Sequence, residues 1–205
     1  MSAAGKVLIG FSKPYVAKYA NNGGTISYSD GQVLARGVSV SLSPDSNDDN
    51  NFFADNVLAE TVGGAFTGAE VTLTVDGLLN ATEKFIYGLP TADSMTVSSG
   101  VTVDIYKYGD AATTPYVGIG YIAMYMQDGV KSYRPTILRK CRFNLSEDSA
   151  ETMGEEIDWQ THELTASVMR DDSSSHDWKW FGADQSSETA AENVIRVALG
   201  MTVLA

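Results

Sequence analysis

Strict alternation of apolar and polar side chains recurs along this chain, and a pleated strand with one covered face is the conformation that satisfies it. In Glu70–Asp76, Val71, Leu73 and Val75 face one way while Thr72 and Thr74 face the other. Val38, Val40 and Leu42 repeat the pattern against Ser39 and Ser41, and Val101, Val103 and Ile105 repeat it once more. Three half-buried strands are predicted. The stretch Tyr116–Gln127 is nearly continuous in aromatic and aliphatic residues and breaks at Asp128-Gly129, a dipeptide that tolerates the positive φ of a tight hairpin turn. Val130–Leu145 then reads as its antiparallel partner. Pro135 has no N–H to give a ladder, which predicts that this strand carries a bulge or lies partly at an edge. Ile157–Met169 supplies a further long strand, with Leu164, Ala166 and Val168 on one face.

Helical signals interrupt this pattern twice. Asn80 followed by Glu83 has the spacing of a reciprocal N-cap, and Gly88-Leu89-Pro90 is a stop, so a short helix is expected over about 81–87. Thr189 and Glu192 repeat that spacing before Val194, Ile195, Val197, Ala198 and Leu199, with Gly200 as the stop. This second helix, about 189–199, would cover one sheet. No fixed-period repeat or low-complexity linker divides the 205 residues, so the expectation is a single mainly β domain spanning 1–205, a β-sandwich or partial barrel with two helices. Two stretches resist burial: the Asp- and Asn-rich Pro44–Asn56, and Asp171–Asp177 with its aspartates and serines. Both read as exposed loops or hairpin tips, because such side chains satisfy backbone groups locally.

Charge removes one class of function. With 14 basic and 26 acidic side chains the net charge is −12, and a sequence-reading nucleic-acid binder needs the opposite balance to neutralise phosphates. No apolar run approaches the roughly 18 residues of a membrane span. The single cysteine, Cys141, cannot close an internal disulfide and lies in an alternating stretch, which suits a buried, unreactive thiol. Met1-Ser-Ala-Ala-Gly-Lys6 lacks the basic-then-apolar pattern of a secretory signal, so folding in a reducing cytoplasm is expected.

Catalytic and metal signatures fail on inspection. Asp45, Asn47, Asp49 and Asn51 have the alternating oxygen spacing of a calcium loop, but Asn50 stands where the turn wants glycine and Asn56 where a bidentate Glu is needed. His162 and His176 sit beside Glu163 and Asp177, yet neighbours on a strand point to opposite faces. Gly-x-Ser-x-Gly and His-Glu-x-x-His are both absent. Gly118-Ile119-Gly120 is half a dinucleotide fingerprint and reads better as a strand where another backbone approaches closely. These residues point to no enzyme, metal or cofactor. Trp178, Trp180 and Phe181 could form an exposed ladder for stacking on sugars, although core packing with both Trp residues on one strand face is the plainer reading.

Five basic residues, Lys131, Arg134, Arg139, Lys140 and Arg142, crowd one strand region. Glu147, Asp148, Glu151, Glu155, Glu156 and Asp158 follow directly. Placed on opposite sides of a subunit, the two groups would guide head-to-tail contacts between copies; placed face to face in one hairpin, they would only neutralise each other. Both arrangements are open at this point.

The order and spacing of five segments carry a resemblance. They are Phe11-Ser-Lys-Pro-Tyr-Val-Ala-Lys-Tyr19, Tyr28-Ser-Asp-Gly31, Ala54-Asp-Asn-Val-Leu-Ala-Glu60, Glu70-Val-Thr-Leu-Thr-Val-Asp76 and Gly154-Glu-Glu-Ile-Asp-Trp-Gln-Thr161. Together they resemble the major tail proteins of long non-contractile-tailed bacteriophages and related prophages, over about residues 6–200. The resemblance implies a β-sandwich-like fold whose inner strands join across six subunits into a β-lined ring, with rings stacked into a tail tube. It implies the virion tail as location, with assembly in the host cytoplasm. Its implied partners are the chain itself, the tape measure, tail terminator and distal tail proteins, and duplex DNA passing through the lumen without specific binding. The family's long loop toward the adjacent ring matches Pro44–Glu60, which makes Pro44, Asp45, Asp48, Asp49, Phe52, Phe53, Asp55 and Asn56 the candidate stacking residues. Segment 171–177 would face outside. An acidic bore would repel phosphates uniformly instead of braking them. A non-catalytic binding module for cell-surface glycans is the alternative class, and a hydrolase using paired carboxylates is a third.

Overall fold

The computed structural model describes residues 5–154 and 158–204. In chain order the elements are β1 (Val7–Asn22), β2 (Thr25–Val33), β3 (Gly37–Ser46), β4 (Asn50–Ala54), β5 (Val57–Val62), β6 (Phe66–Val75), α1 (Asn80–Tyr87), β7 (Asp93–Ser98) and β8 (Val101–Ile105). They continue with β9 (Val117–Gln127), β10 (Val130–Phe143), β11 (His162–Met169), β12 (Lys179–Phe181) and α2 (Glu188–Ala198). The fold is mainly β with two helices, as the alternation predicts. One antiparallel sheet runs β2-β1-β9-β10-β11-β6-β3, with β12 beside β10, while β4–β5 and β7–β8 form separate two-stranded ribbons.

That long sheet folds over on itself at β10. Residues 136–138 of β10 pair with β12, and residues 140–143 pair with β11, with β9 along the other side and a register shift between Leu138 and Cys141. The sheet thus changes layers at a bulge, where an extra residue bends the strand. Val16, Val117, Ile119, Leu138 and Phe143 on one layer meet Val71, Leu73, Val75, Leu164 and Val168 on the other, and α1 closes the core with Ile86 and Tyr87. A β-sandwich results. Cys141 lies wholly inside it, and burial pushes its thiol above the ordinary range, as expected of an inert cysteine.

A second, smaller core sits on the outer face of β1, β9 and β10. There Tyr15, Ala17, Ile122 and Ile137 receive Ala191 and Ile195 of α2 and Leu199 at its C-cap. Period two explains the division: Val16 turns inward between Tyr15 and Ala17, which turn outward. Gly118 and Gly120 stand under the helix, not against another backbone as expected. A Cβ on Gly120 would lie 2.3 Å from Ile195 Cγ2, and one on Gly118 would lie 2.5 Å from the Tyr28 ring. These glycines let α2 sit close to the sheet.

Several local readings change. Strand β10 does carry the expected bulge, between Leu138 and Cys141, while Pro135 pairs in register with Ile122 and its carbonyl accepts from Gly182 N (2.9 Å). Its ring nitrogen therefore points along the same edge, toward the short β12, where no long ladder needs a donor. The N-cap of α1 is Leu79, not Asn80, with no side-chain cap, and Glu83 is engaged by the Tyr108 hydroxyl instead. For α2 the cap is Ser187, whose hydroxyl accepts from Ala190 N (3.2 Å), and not Thr189. Glu192 turns toward β1 instead of back to the cap, drawn by Lys13 and the Tyr15 hydroxyl. The stop glycines are as read: Gly88 and Gly200 both have positive φ. Strand β11 begins at His162; Ile157 lies outside the described residues, and Leu164, Ala166 and Val168 share the buried face as expected. Trp178 and Trp180 part company. Trp178 stacks on Phe66 at the sandwich core (4.4 Å between centroids), while Trp180 lies beside α2 and is partly exposed.

Candidate assembly surfaces

The segment read as a long loop is an ordered hairpin. Asp55 and Asn56, both with positive φ, form its two-residue turn between the paired Ala54 and Val57. Asn and Asp are among the residues that tolerate that conformation. At its base the polar stretch satisfies the backbone locally: Asn47 N donates to Ala65 O (3.0 Å), Gly64 N to Asp49 Oδ1 (3.0 Å) and Thr61 Oγ1 to Asn51 Oδ1 (2.8 Å). Every residue of β4 and β5 is exposed, including Phe52 (62%), Phe53 (63%), Leu58 (54%) and Val62 (68%). Of the candidate stacking residues, Pro44 and Asp45 belong to the end of β3, Asp48 and Asp49 to the base, Phe52 and Phe53 to β4, and Asp55 and Asn56 to the tip. Phe52 is directly opposite Glu60 and Asn50 opposite Val62, so one face of the ribbon carries an aromatic ring, an aliphatic side chain and a carboxylate together.

The ribbon β7–β8 is uncovered too. The alternation of β8 predicts a half-buried face, but Val101 and Val103 are exposed, as are Met95 and Val97 of β7, and among the described residues no third strand or helix packs on them. The pattern that selects a covered strand is present, without a cover among those residues.

Between β1, β3, β9, β10 and β12 the sandwich opens into a groove of 550 Å³. Its aromatic wall includes Phe11, edge-on to Tyr121 (5.7 Å), together with Tyr125 and Phe181. Two cations stand in it. Arg134 lies over the Tyr125 ring (4.6 Å) and donates from Nε to Asp184 Oδ1 (2.7 Å), and Lys6 also pairs with Asp184. Those two partners hold the Asp184 carboxyl down to about 2. The half-buried Lys179 has no carboxylate partner among the described residues.

Three of the five crowded basic residues, Arg134, Arg139 and Lys140, pair with Asp184, Asp171 and Asp172, and among the described residues none of the five forms an ion pair with the acidic segment that follows them. Arg139, placed by sequence among inter-subunit contacts, is buried and pairs with the buried Asp171 (2.9 Å) under the Trp180 ring (3.6 Å). Asp171 therefore does not face outside with its loop. Burial raises its carboxyl, but hydrogen bonds from Ser173 and Arg139 outweigh that and leave it below the usual range. Lys140 pairs with Asp172 (2.8 Å), which also accepts from the Tyr19 hydroxyl (2.8 Å). Lys131 and Arg142 are exposed, as are Glu147, Asp148 and Glu151, whereas Glu155 and Glu156 lie outside the described residues.

Sequence spacing gave no hint of one further juxtaposition. His162 Nε2 lies 3.1 Å from Ser146 Oγ, beside a 400 Å³ pocket near α1. Ser146 also bonds the Tyr87 hydroxyl (2.8 Å), and among the described residues no carboxylate orients the other ring nitrogen. A nucleophilic triad needs that third group. Among the described residues there is no cluster of three or more His, Cys, Asp or Glu that could hold a metal ion, and no helix long and apolar enough to cross a membrane. No protein-family model and no curated protein sequence matches this chain.

Proposed function

We propose that this chain is a structural virion protein that self-assembles into stacked hexameric rings, the tail tube through which a long non-contractile-tailed bacteriophage ejects its DNA. One observation supports the reading: two ribbons, β4–β5 and β7–β8, display apolar side chains to water and are covered by no other element among the described residues. Surfaces of that kind mark contacts with other molecules. The strands β2 and β3 end the sheet order, and an edge of unpaired N–H and C=O groups is stabilised by pairing with the same edge system in a neighbour. A closed ring of copies leaves no such edge over. The net charge of −12 suits a conduit that must not grip phosphates. Electron microscopy of the purified protein, dilute and then concentrated, tests the reading: rings or tubes are expected, and a concentrated solution containing only monomers would overturn it.

The aromatic groove favours a second reading, a glycan-binding module, since aromatic rings beside cations suit sugars bearing acidic groups. Retention of a non-assembling monomer on immobilised polysaccharide would select it.

A further inference from the structure

We propose that the groove between β1, β3, β9, β10 and β12 receives the β4–β5 hairpin of a second copy, seating Phe52 and Val62 on its aromatic wall and Glu60 on Lys179. The inference rests on the reading that the hairpin joins copies, and adds where it lands. Shape and polarity both favour the match. The hairpin face that carries Phe52, Glu60 and Val62, with Asn50 opposite Val62, sets two apolar side chains beside an amide and one carboxylate, and the groove is aromatic and holds Lys179, which has no carboxylate partner among the described residues. Arg134 already donates to Asp184, which it shares with Lys6, whereas Lys179 is the position where an incoming carboxylate adds a new ion pair. Burial, reinforced by the nearby Arg134, holds the Lys179 ammonium below the ordinary lysine range, a strain that an apposed carboxylate relieves. A volume of 550 Å³ accommodates a phenyl ring and an isopropyl group with room for the backbone that bears them.

Because the hairpin and the groove are different surfaces, two copies can exchange hairpins reciprocally about a two-fold axis, or the contact can run head to tail and close as a ring or continue as a filament; the tube reading requires the head-to-tail form.

The test uses the full chain and three variants, Lys179→Glu, Glu60→Lys and the two combined. Each single variant should raise the concentration needed for assembly about tenfold, the weight of one charge-assisted contact, and the combined charge reversal should restore assembly. An unreactive Cys141 toward a thiol reagent verifies that each variant is folded. As a second measurement, Ser39→Cys in the groove and Val62→Cys on the hairpin are introduced in separate chains. Mixing them should give an intermolecular disulfide between the two substituted positions. Tubes that form unchanged in both single charge variants, without the cross-link, overturn this docking while leaving the tube reading intact. Monomers under every condition overturn both. A Lys179→Glu variant that assembles normally but loses retention on an acidic polysaccharide such as alginate assigns the groove to glycans and also overturns the docking.

Discussion

At the residue scale, the pair Arg139–Asp171 is the most consequential electrostatic feature of the chain. Both side chains are almost completely withdrawn from water (7% and 0% exposed). Asp171 accepts from Arg139 Nε, Ser173 Oγ and Ser173 N, and the Arg139 carbonyl accepts from the Tyr28 hydroxyl (2.7 Å). The pair thereby ties the 171–177 loop to β10 and to β2. Removing one partner leaves the other charge buried without compensation, which costs about 3–5 kcal/mol. Asp171→Ala should lower the unfolding free energy by that amount in urea titrations. A change below about 1 kcal/mol, the range of an exposed pair, would show that the guanidinium finds water there. Neither partner advertised this in the sequence. Asp171 read as part of a solvated Asp-Ser stretch and Arg139 as one of a surface cluster, and only the β10 bend and the closure of the loop, Asp171 N to Asp177 O (2.8 Å), bring them together.

At the element scale, α2 shows how a helix start can be misread by two residues. Ser187 and Thr189 are both competent caps. The structure uses Ser187, so that Glu192 falls on the sheet side, where it meets Lys13, Tyr15 and, through Tyr15, Arg196. Tertiary contact overrides the local box. Ser187→Ala should cost about 1 kcal/mol of stability, and Thr189→Ala should stay within about 0.5 kcal/mol. Thermal denaturation of the two variants side by side checks the assignment, and a reversed order would restore Thr189 as the cap. The ribbons show the opposite relation. In β8 the alternation was legible, but among the described residues nothing supplies the cover it demands, which is why Val101 and Val103 are exposed despite a strand pattern that promises burial.

At the scale of the whole molecule, several carboxyls hold the sandwich's periphery together. Asp184, Asp171, Asp172, Asp76 and Glu192 all sit below their ordinary values in the fold. For Asp184 the causes are Arg134 and then Lys6, for Asp172 Lys140 and then Tyr19, and for Asp76 Arg36. In Glu192 burial works the other way but is outweighed by Lys13 and Tyr15. A depressed carboxyl binds protons more weakly in the folded chain than in the unfolded one. Its contribution is complete above about pH 4 and is lost as pH falls through the folded value, which for Asp184 is about 2. Melting temperature should therefore hold steady from neutrality to about pH 5 and fall steeply between about pH 4 and 2. A melting temperature unchanged at pH 2.5 would deny these pairs a role in stability.

By itself the sequence determined the local grammar. The strands of the inner core, the Asp128-Gly129 turn, the two helices with their glycine stops and the inert cysteine all follow from periodicity and backbone preference, which act over a few residues. Tertiary structure alone decided where the sheet changes layers, that α2 rests on Gly118 and Gly120, that Arg139 and Asp171 share a buried site, and that Lys179 faces an aromatic groove with its charge unmatched. These depend on residues tens of positions apart meeting after the sheet has folded over. Their free energies come from burial and mutual geometry that no neighbouring residue encodes.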